Sequence, residues 1–312
     1  MKILFMGTPD FALFSLDALY KAGEEIVGVV TKPDTPKGRG YTLTPPPVKV
    51  YAVEHGIPVF QPTTLKDGAF AEELERLAPD MIVVVAYGKI LPKYVLDYPK
   101  YGCINIHGSL LPKYRGAAPM QRAIMEGESV SGVTSMYMAE GIDTGDMLLK
   151  EEVAITEDDN FETVHDKLGA AGARVLLRTV DAAKKGELHP QPQDDSLATH
   201  AAKIEKAECR IDFSTDAKVL HDRIRGLSPF PLAFTTLPSG KLLKILKARY
   251  EKDDTVEEYG KVVRADKNGI AVAARGGRIV FETMVPEGKK AQSAADMLNG
   301  RQIAVGDRLG DQ

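Results

Sequence analysis

Gly102-Cys-Ile-Asn-Ile-His-Gly-Ser-Leu-Leu-Pro-Lys-Tyr-Arg-Gly116 is the stretch from which the fold can be read. Its first half, Cys103 to His107, has the composition of a short buried strand. Side chains alternate along a strand, so Ile104 and Ile106 share one face while Cys103, Asn105 and His107 share the other. Two polar groups on one face of an apolar run, just before a Gly-Ser turn, need partners or a task. In an open α/β sheet, ligands bind beyond the carboxyl ends of the strands, where Asn105 and His107 would lie. The second half, Ser109 to Gly116, reads as a loop with Lys113, Tyr114 and Arg115 as contacts. The plainer alternative is a satisfied core His and Asn at a strand end.

A second stretch bears on that choice. Gly141-Ile-Asp143-Thr-Gly-Asp146 follows the alternating run Val133–Met138 and precedes Met147-Leu-Leu149. An Asp between glycines is an ordinary turn residue, but from a neighbouring strand it can also approach His107. Asn, His and Asp make an acid–base set without a nucleophile. The amide donates to a developing oxyanion, the imidazole moves a proton, and the carboxylate orients it. Such a set suits acyl transfer to an external amine.

Outward from these stretches the pattern is a doubly wound, mostly parallel α/β sheet. Residues 2–7 read as a strand buried on both faces, Phe11 to Lys21 as a helix ended by Gly23, and Glu25 to Thr31 as a second strand. The turn Gly7-Thr-Pro-Asp10 lacks the glycine spacing of a dinucleotide site, which argues against a nicotinamide cofactor. Lys32 to Pro47 carries five prolines with Lys32, Lys37 and Arg39, and reads as a long irregular loop. It is either a solvated surface loop or an arm that presents Arg39 to a phosphate. Further strands are expected at Met81 to Ala86 and near 133–138 and 147–155, and a long helix from Phe161 to Lys185. Tyr87-Gly88-Lys89 should lie beside the end of the Asn105–His107 strand.

Gly186 to Ile204 has a linker composition. Beyond it, one helix and five short β-like runs separated by glycine turns suggest a small OB-like β-barrel. The expected division is therefore residues 1–186, a linker at 187–204, and a barrel domain at 205–312.

The 312 residues suffice for two domains with their own cores. The composition, 44% hydrophobic and 27% charged, is that of an ordinary globular protein. Cys103 and Cys209 have no metal or redox spacing, and the N-terminus has no signal-peptide layout, so a cytoplasmic protein without metal is expected. No apolar run approaches the roughly 18 residues of a membrane span. The net charge of −4 divides unevenly, with 19 Lys+Arg against 16 Asp+Glu (+3) in residues 205–312 and 21 against 28 (−7) before them. A mildly basic C-terminal part is consistent with a polyanion nearby, although on this number alone ordinary scatter is the better explanation.

With these motifs in hand, the chain resembles the methionyl-tRNA formyltransferases of the folate-dependent formyltransferase superfamily along essentially its whole length. The resemblance is carried by Gly7-Thr-Pro-Asp-Phe-Ala12, Val85-Ala-Tyr-Gly88, Asn105-Ile-His107 with Ser109-Leu-Leu-Pro-Lys-Tyr-Arg-Gly116, and Gly141-Ile-Asp143-Thr-Gly145. Lys37-Gly-Arg-Gly40 and Arg225-Gly-Leu-Ser-Pro-Phe-Pro231 add to it. It implies a Rossmann-like formyltransferase domain and 10-formyltetrahydrofolate as co-substrate. The formyl group would pass to the α-amine of methionine on initiator tRNA. Asn105, His107 and Asp143 would be catalytic, with the folate against Tyr87, Gly88, Ser109, Leu110, Leu111 and Pro112. Lys37 and Arg39 would meet the tRNA, as would the basic second domain with Lys203 and Lys206 at its edge. A monomer is expected.

Other readings use the same residues. A formyltransferase with another amine acceptor, or a hydrolase splitting formylfolate with water, would need the same triad. A non-catalytic nucleic-acid module would not need it. A thiol enzyme built on Cys103 and His107 is conceivable, but Cys103 lies deeper and reads as a structural thiol.

Overall fold

The computed structural model describes residues 1–37, 42–253 and 258–310. Residues 2–7, apolar after Lys2, form β1 (Lys2–Gly7), and the Asp10 carboxylate then accepts from Phe11 N to cap α1 (Phe11–Lys21). β2 (Glu25–Val30) follows. The stretch expected as an irregular loop instead pairs its flanks as an antiparallel hairpin, β3 (Thr35–Lys37) and β4 (Thr42–Thr44). Threonines at alternate positions suit a strand, and an ion pair of Lys49 with Asp34 at 2.8 Å ties down the hairpin's base. Arg39 lies outside the described residues, as does the side chain of Lys37.

The first half continues through α2 (Pro47–Glu54), β5 (Val59–Phe60), α3 (Ala71–Leu77), β6 (Met81–Val85), α4 (Lys93–Leu96) and β7 (Cys103–His107). It goes on to β8 (Arg115–Gly116), α5 (Pro119–Met125), β9 (Val130–Tyr137), β10 (Met147–Ala154), α6 (Phe161–Lys185) and β11 (His200–Ala201). The second half comprises α7 (Ala217–Gly226), β12 (Ala233–Thr236), β13 (Leu242–Lys252), β14 (Val262–Asp266), β15 (Gly269–Ala274), β16 (Gly277–Pro286), β17 (Gln292–Ser293) and α8 (Ala294–Asn299).

The chain forms two compact units. The first holds residues 1–116, 130–154 and 165–201, around a sheet in the order β10-β9-β7-β6-β1-β2-β5. Strands β1, β2, β5, β6 and β7 run parallel, while β9 and β10 are antiparallel additions at one edge. One core of this unit gathers Leu4, Met6, Val30, Ile82 and Val84 from the sheet against Leu74 and Val95. The second unit holds residues 117–129, 155–164 and 202–312, around an antiparallel sheet in the order β12-β13-β16-β15-β14. Its core joins Leu220 and Ile224 of α7 to Leu243, Ile245, Ile279 and Phe281.

The expected fold class holds: a mostly parallel α/β sheet with a C-terminal antiparallel strand domain. The two units divide the chain differently from the expected 1–186, linker 187–204 and 205–312. Residues 187–201, read as a linker, belong to the first unit, because Gln191 bridges Met147 and β11 pairs with β8.

Inside the second unit α7 carries a buried charge cluster. Asp222, 4% exposed, accepts from Arg225 Nε and from Lys218 Nζ, both at 2.8 Å, and His221 Nδ1 lies 3.7 Å away. Burial alone would raise this carboxyl; the adjacent His221 ring and the hydrogen bonds from Lys218 and Arg225 outweigh it and bring it from 3.8 down to about 2. A carboxyl whose folded value is depressed stabilises the fold above its unfolded value and stops doing so as pH falls through the folded one. The stability lost in Asp222→Asn, measured by urea unfolding, should be at its full size above pH 3.8 and shrink to nothing near pH 2. A difference that stays constant across that window would refute the assignment.

Candidate active site

Strand β7 carries the site because it is flanked by β6 and β9, with Val84 and Met136 opposite Asn105. The alternation expected from sequence is observed. Cys103 joins the core on one face, and Asn105 and His107 share that face further along. Asn105 is half-buried, and among the described residues its amide makes no hydrogen bond.

His107 is 6% exposed, and its Nε2 lies 2.9 Å from the Tyr114 carbonyl. A carbonyl only accepts, so Nε2 bears the hydrogen and donates. The lone pair of the neutral ring is therefore on Nδ1, 3.7 Å from Asp143 Oδ2. The same carboxylate oxygen accepts from Gly116 N at 2.8 Å. The structure thus brings His107 and Asp143 together, with Asn105 roughly 7 Å along the strand from His107 by two-residue spacing.

The support of Asp143 comes from residues that sequence reasoning missed. Gln193 Nε2 donates to the carbonyls of Asp143 and Gly145, both at 2.8 Å. Its Oε1 accepts from Arg115 Nε at 2.9 Å, and Arg115 pairs with Asp195 at 2.7 Å. Arg115, expected as a ligand contact, is instead a buried brace. Thr199 holds the other side: its hydroxyl accepts from Tyr114 N at 2.9 Å, and its carbonyl accepts from Arg115 N at 2.9 Å.

The expected folate residues divide into framework and surface. Tyr87 is 1% exposed in the core, and burial pushes its phenol up to about 12, so its ring offers no ligand surface. Ser109 is fully buried, donating to the Lys113 carbonyl at 2.7 Å, and Leu111 packs on Met136 and Met147. Leu110, Pro112 and Gly88 retain exposed surface. Lys203 and Lys206 are exposed in the second unit. Among the described residues no cluster of three His, Cys, Asp or Glu could hold a metal.

Comparison with known proteins defines the class. The formyl transferase family matches residues 1–180, and the formyl transferase C-terminal domain matches residues 203–302. The chain belongs to the formyl transferase family. Its relatives include the methionyl-tRNA formyltransferases of Geotalea uraniireducens, 47% identical over 99% of this chain and 98% of that one, and of Bacillus subtilis strain 168, 46% identical over the same shares. The resemblance read from the motifs is thereby borne out. Among solved structures, HypX from Aquifex aeolicus in complex with tetrahydrofolic acid aligns with a TM-score of 0.65 at 18% identity, over 98% of this chain and 48% of that one. The methionyl-tRNA formyltransferase from Clostridium thermocellum aligns with a TM-score of 0.55 at 18% identity, over 80% and 94%. At such identities these structures speak for the fold alone.

The geometry also decides the thiol alternative. Cys103 Sγ faces the carbonyls of Val95 and Leu96 at 3.4 and 3.7 Å, and burial followed by the charge of Asp97 pushes the thiol up to about 12. A thiol held there is not a nucleophile. Cys103→Ala should keep formyl-transfer kcat within about twofold while costing about 1 kcal/mol in urea unfolding; a loss of kcat beyond a hundredfold in a folded variant would reinstate the thiol.

Proposed function

We infer that the protein transfers a formyl group from 10-formyltetrahydrofolate to the α-amine of methionyl initiator tRNA. The observation that carries this is the His107–Asp143 pair beside an uncommitted Asn105 amide, in a chain 46–47% identical to methionyl-tRNA formyltransferases over nearly its full length.

The chemistry follows from which nitrogen is committed. Attack of a neutral amine on the formyl carbon gives a tetrahedral oxyanion and a nitrogen that must lose a proton. His107 Nε2 is held by the Tyr114 carbonyl, so Nδ1 takes that proton, and the Asp143 carboxylate stabilises the resulting imidazolium. Before it has taken the proton, Nδ1 has no hydrogen to donate. Asn105 is therefore the donor to the oxyanion from the start, a role typically worth about 3 kcal/mol. Once protonated, His107 can return the proton to the departing folate nitrogen.

The folate is proposed to lie against the backbone at Tyr87–Gly88 and the loop from Ser109 to Pro112, with Leu110 and Pro112 as its apolar contacts. The tRNA is proposed to meet Lys37 and Arg39 on the first unit and Lys203 and Lys206 on the second. No helix among the described residues is long and apolar enough to cross a membrane, and both cysteines are free and buried. The free cysteines fit a reducing compartment, and a monomer working in the cytoplasm is part of the proposal.

The test is transfer of labelled formyl from 10-formyltetrahydrofolate to methionyl initiator tRNA, with water and a nucleotide amino sugar as rival acceptors. Label should appear in the tRNA, be abolished by His107→Ala, and fall about 10²–10³-fold in kcat with Asn105→Ala. Asp143→Asn should cost at least about a hundredfold without shifting the thermal midpoint by more than a few degrees. Formate or labelled sugar without labelled tRNA would move the acceptor elsewhere, and an Asp143→Asn pH–rate profile unchanged in shape would remove Asp143 from the proton path.

A further inference from the structure

We propose that Lys32 binds the phosphate of the acceptor's 3′-terminal nucleotide in a cleft at the ends of β1 and β2; this deepens the reading above and rests on it. The cleft has a volume of about 320 Å³ and lies within the first unit. Thr8, Asp10 and Lys32 line it, with Pro33, Pro45, Pro46 and Pro47 as walls. Proline rings are rigid and apolar and bring no N–H that would need a partner, which suits the face of a ribose or base. The cleft also lies at the point where the sheet changes direction. From β1 the chain winds outward through β2 and β5, then returns to place β6 on the other side of β1. Ligands of doubly wound sheets bind beside that point.

Lys32 supplies the charge. Lys32 Nζ stands 2.5 Å from where a Cβ on Gly88 would be, so the ammonium lies against that glycine, whose φ of 73° favours a residue without a Cβ. Among the described residues this ammonium makes no ion pair or hydrogen bond. A second ammonium is nearby: Lys89 donates to the carbonyls of Pro62 and Thr63, both at 2.8 Å. Burial, then the charge of Lys32, hold Lys89 below the ordinary lysine value. Asp10, which also lines the cleft, is held by capping α1 and lies 3.5 Å from His165 Nε2, while Asp34 is bound by Gln61 at 2.7 Å and Lys49 at 2.8 Å. Lys32 is the one ammonium that lines the cleft among the described residues, and an ammonium without a partner is a ready contact for an anion.

The spacing fits an aminoacylated nucleotide. Lys32 follows β2, three strands from the strand of Asn105 and His107, but its ammonium reaches back to Gly88 just past β6, the neighbour of that strand, so it stands between one and three strand spacings away, roughly 5–14 Å. A ribose carrying an aminoacyl ester spans a gap of that order, with its α-amine at the triad and its 5′-phosphate at Lys32.

The test offers the 3′-methionyl esters of adenosine 5′-monophosphate and of adenosine, alongside methionyl initiator tRNA, to wild type, Lys32→Ala and Lys32→Arg. Wild type should favour the phosphorylated ester in kcat/KM by about ten- to a hundredfold, the worth of one charge-assisted hydrogen bond. Lys32→Ala should equalise the two esters, Lys32→Arg should restore most of the preference, and the KM for 10-formyltetrahydrofolate should stay unchanged in both. With tRNA, Lys32→Ala should lower the salt slope of log kcat/KM by about one. A preference absent from wild type, or kept by Lys32→Ala, overturns the proposal. So does a rise confined to the KM for formylfolate, which would assign Lys32 to the folate carboxylates. A wild type that formylates none of the three acceptors would refute the underlying function instead, and that result is distinct from any effect of Lys32.

Discussion

The hydrogen bond from His107 Nε2 to the Tyr114 carbonyl is the constraint on which the site depends. It fixes the ring's tautomer and turns the basic nitrogen towards Asp143. To offer its carbonyl there, Tyr114 adopts φ 61°, a conformation that a bulky side chain takes only when its surroundings impose it. Thr199 imposes it by accepting from Tyr114 N with its hydroxyl and from Arg115 N with its carbonyl. The pairing of β11 with β8 extends the same grip by two residues. A segment with the composition of a linker is thus what holds the loop from Ser109 to Gly116 in shape.

The carboxylate is held through the same segment. Gln193 spans from Asp143 and Gly145 to Arg115, so one side chain ties the turn that carries the acid to the loop that orients the base. Arg115 is buried, and its pairing with the exposed Asp195 satisfies a guanidinium that would otherwise be costly there. Catalytic residues typically lie on loops positioned by a rigid scaffold, and here the scaffold includes residues 191–201 as well as the sheet.

Much of this could be read in the sequence, and the rest was hidden for physical reasons. The strands and the helix from Phe161 to Lys185 follow from hydrophobic runs and periodicity, and Asn105 and His107 follow from polar residues at alternate positions of an apolar strand. Tyr114 acts through its backbone carbonyl, which any residue possesses, so no side-chain pattern reveals it. Gln193 acts across 50 residues of chain, and glutamines beside prolines read as linker. The burial of Tyr87 has a local cause that no strand pattern reveals: Ala86 takes φ 48°, which breaks the period-two alternation beyond Val85 and turns the next side chain into the core.

In the Gly-Ile-Asp-Thr-Gly turn, the turn position of Asp143 and its proposed catalytic role are not rival descriptions. Its φ of 53° lies in the left-handed region, which aspartate tolerates better than most side chains and which a β-branched residue resists. Two residues on, a Cβ at Gly145 would meet the Tyr137 carbonyl at 1.8 Å, so the chain can fold back against β9 only with glycine there. The fold-back is what lets a single carboxylate oxygen accept from Gly116 N at 2.8 Å and face His107 Nδ1 at 3.7 Å. Lengthening the turn, or replacing Gly145 by any residue with a Cβ, would move the carboxylate without altering its chemistry. For this site, turn geometry and the proposed acid–base function are one requirement met by the same five residues.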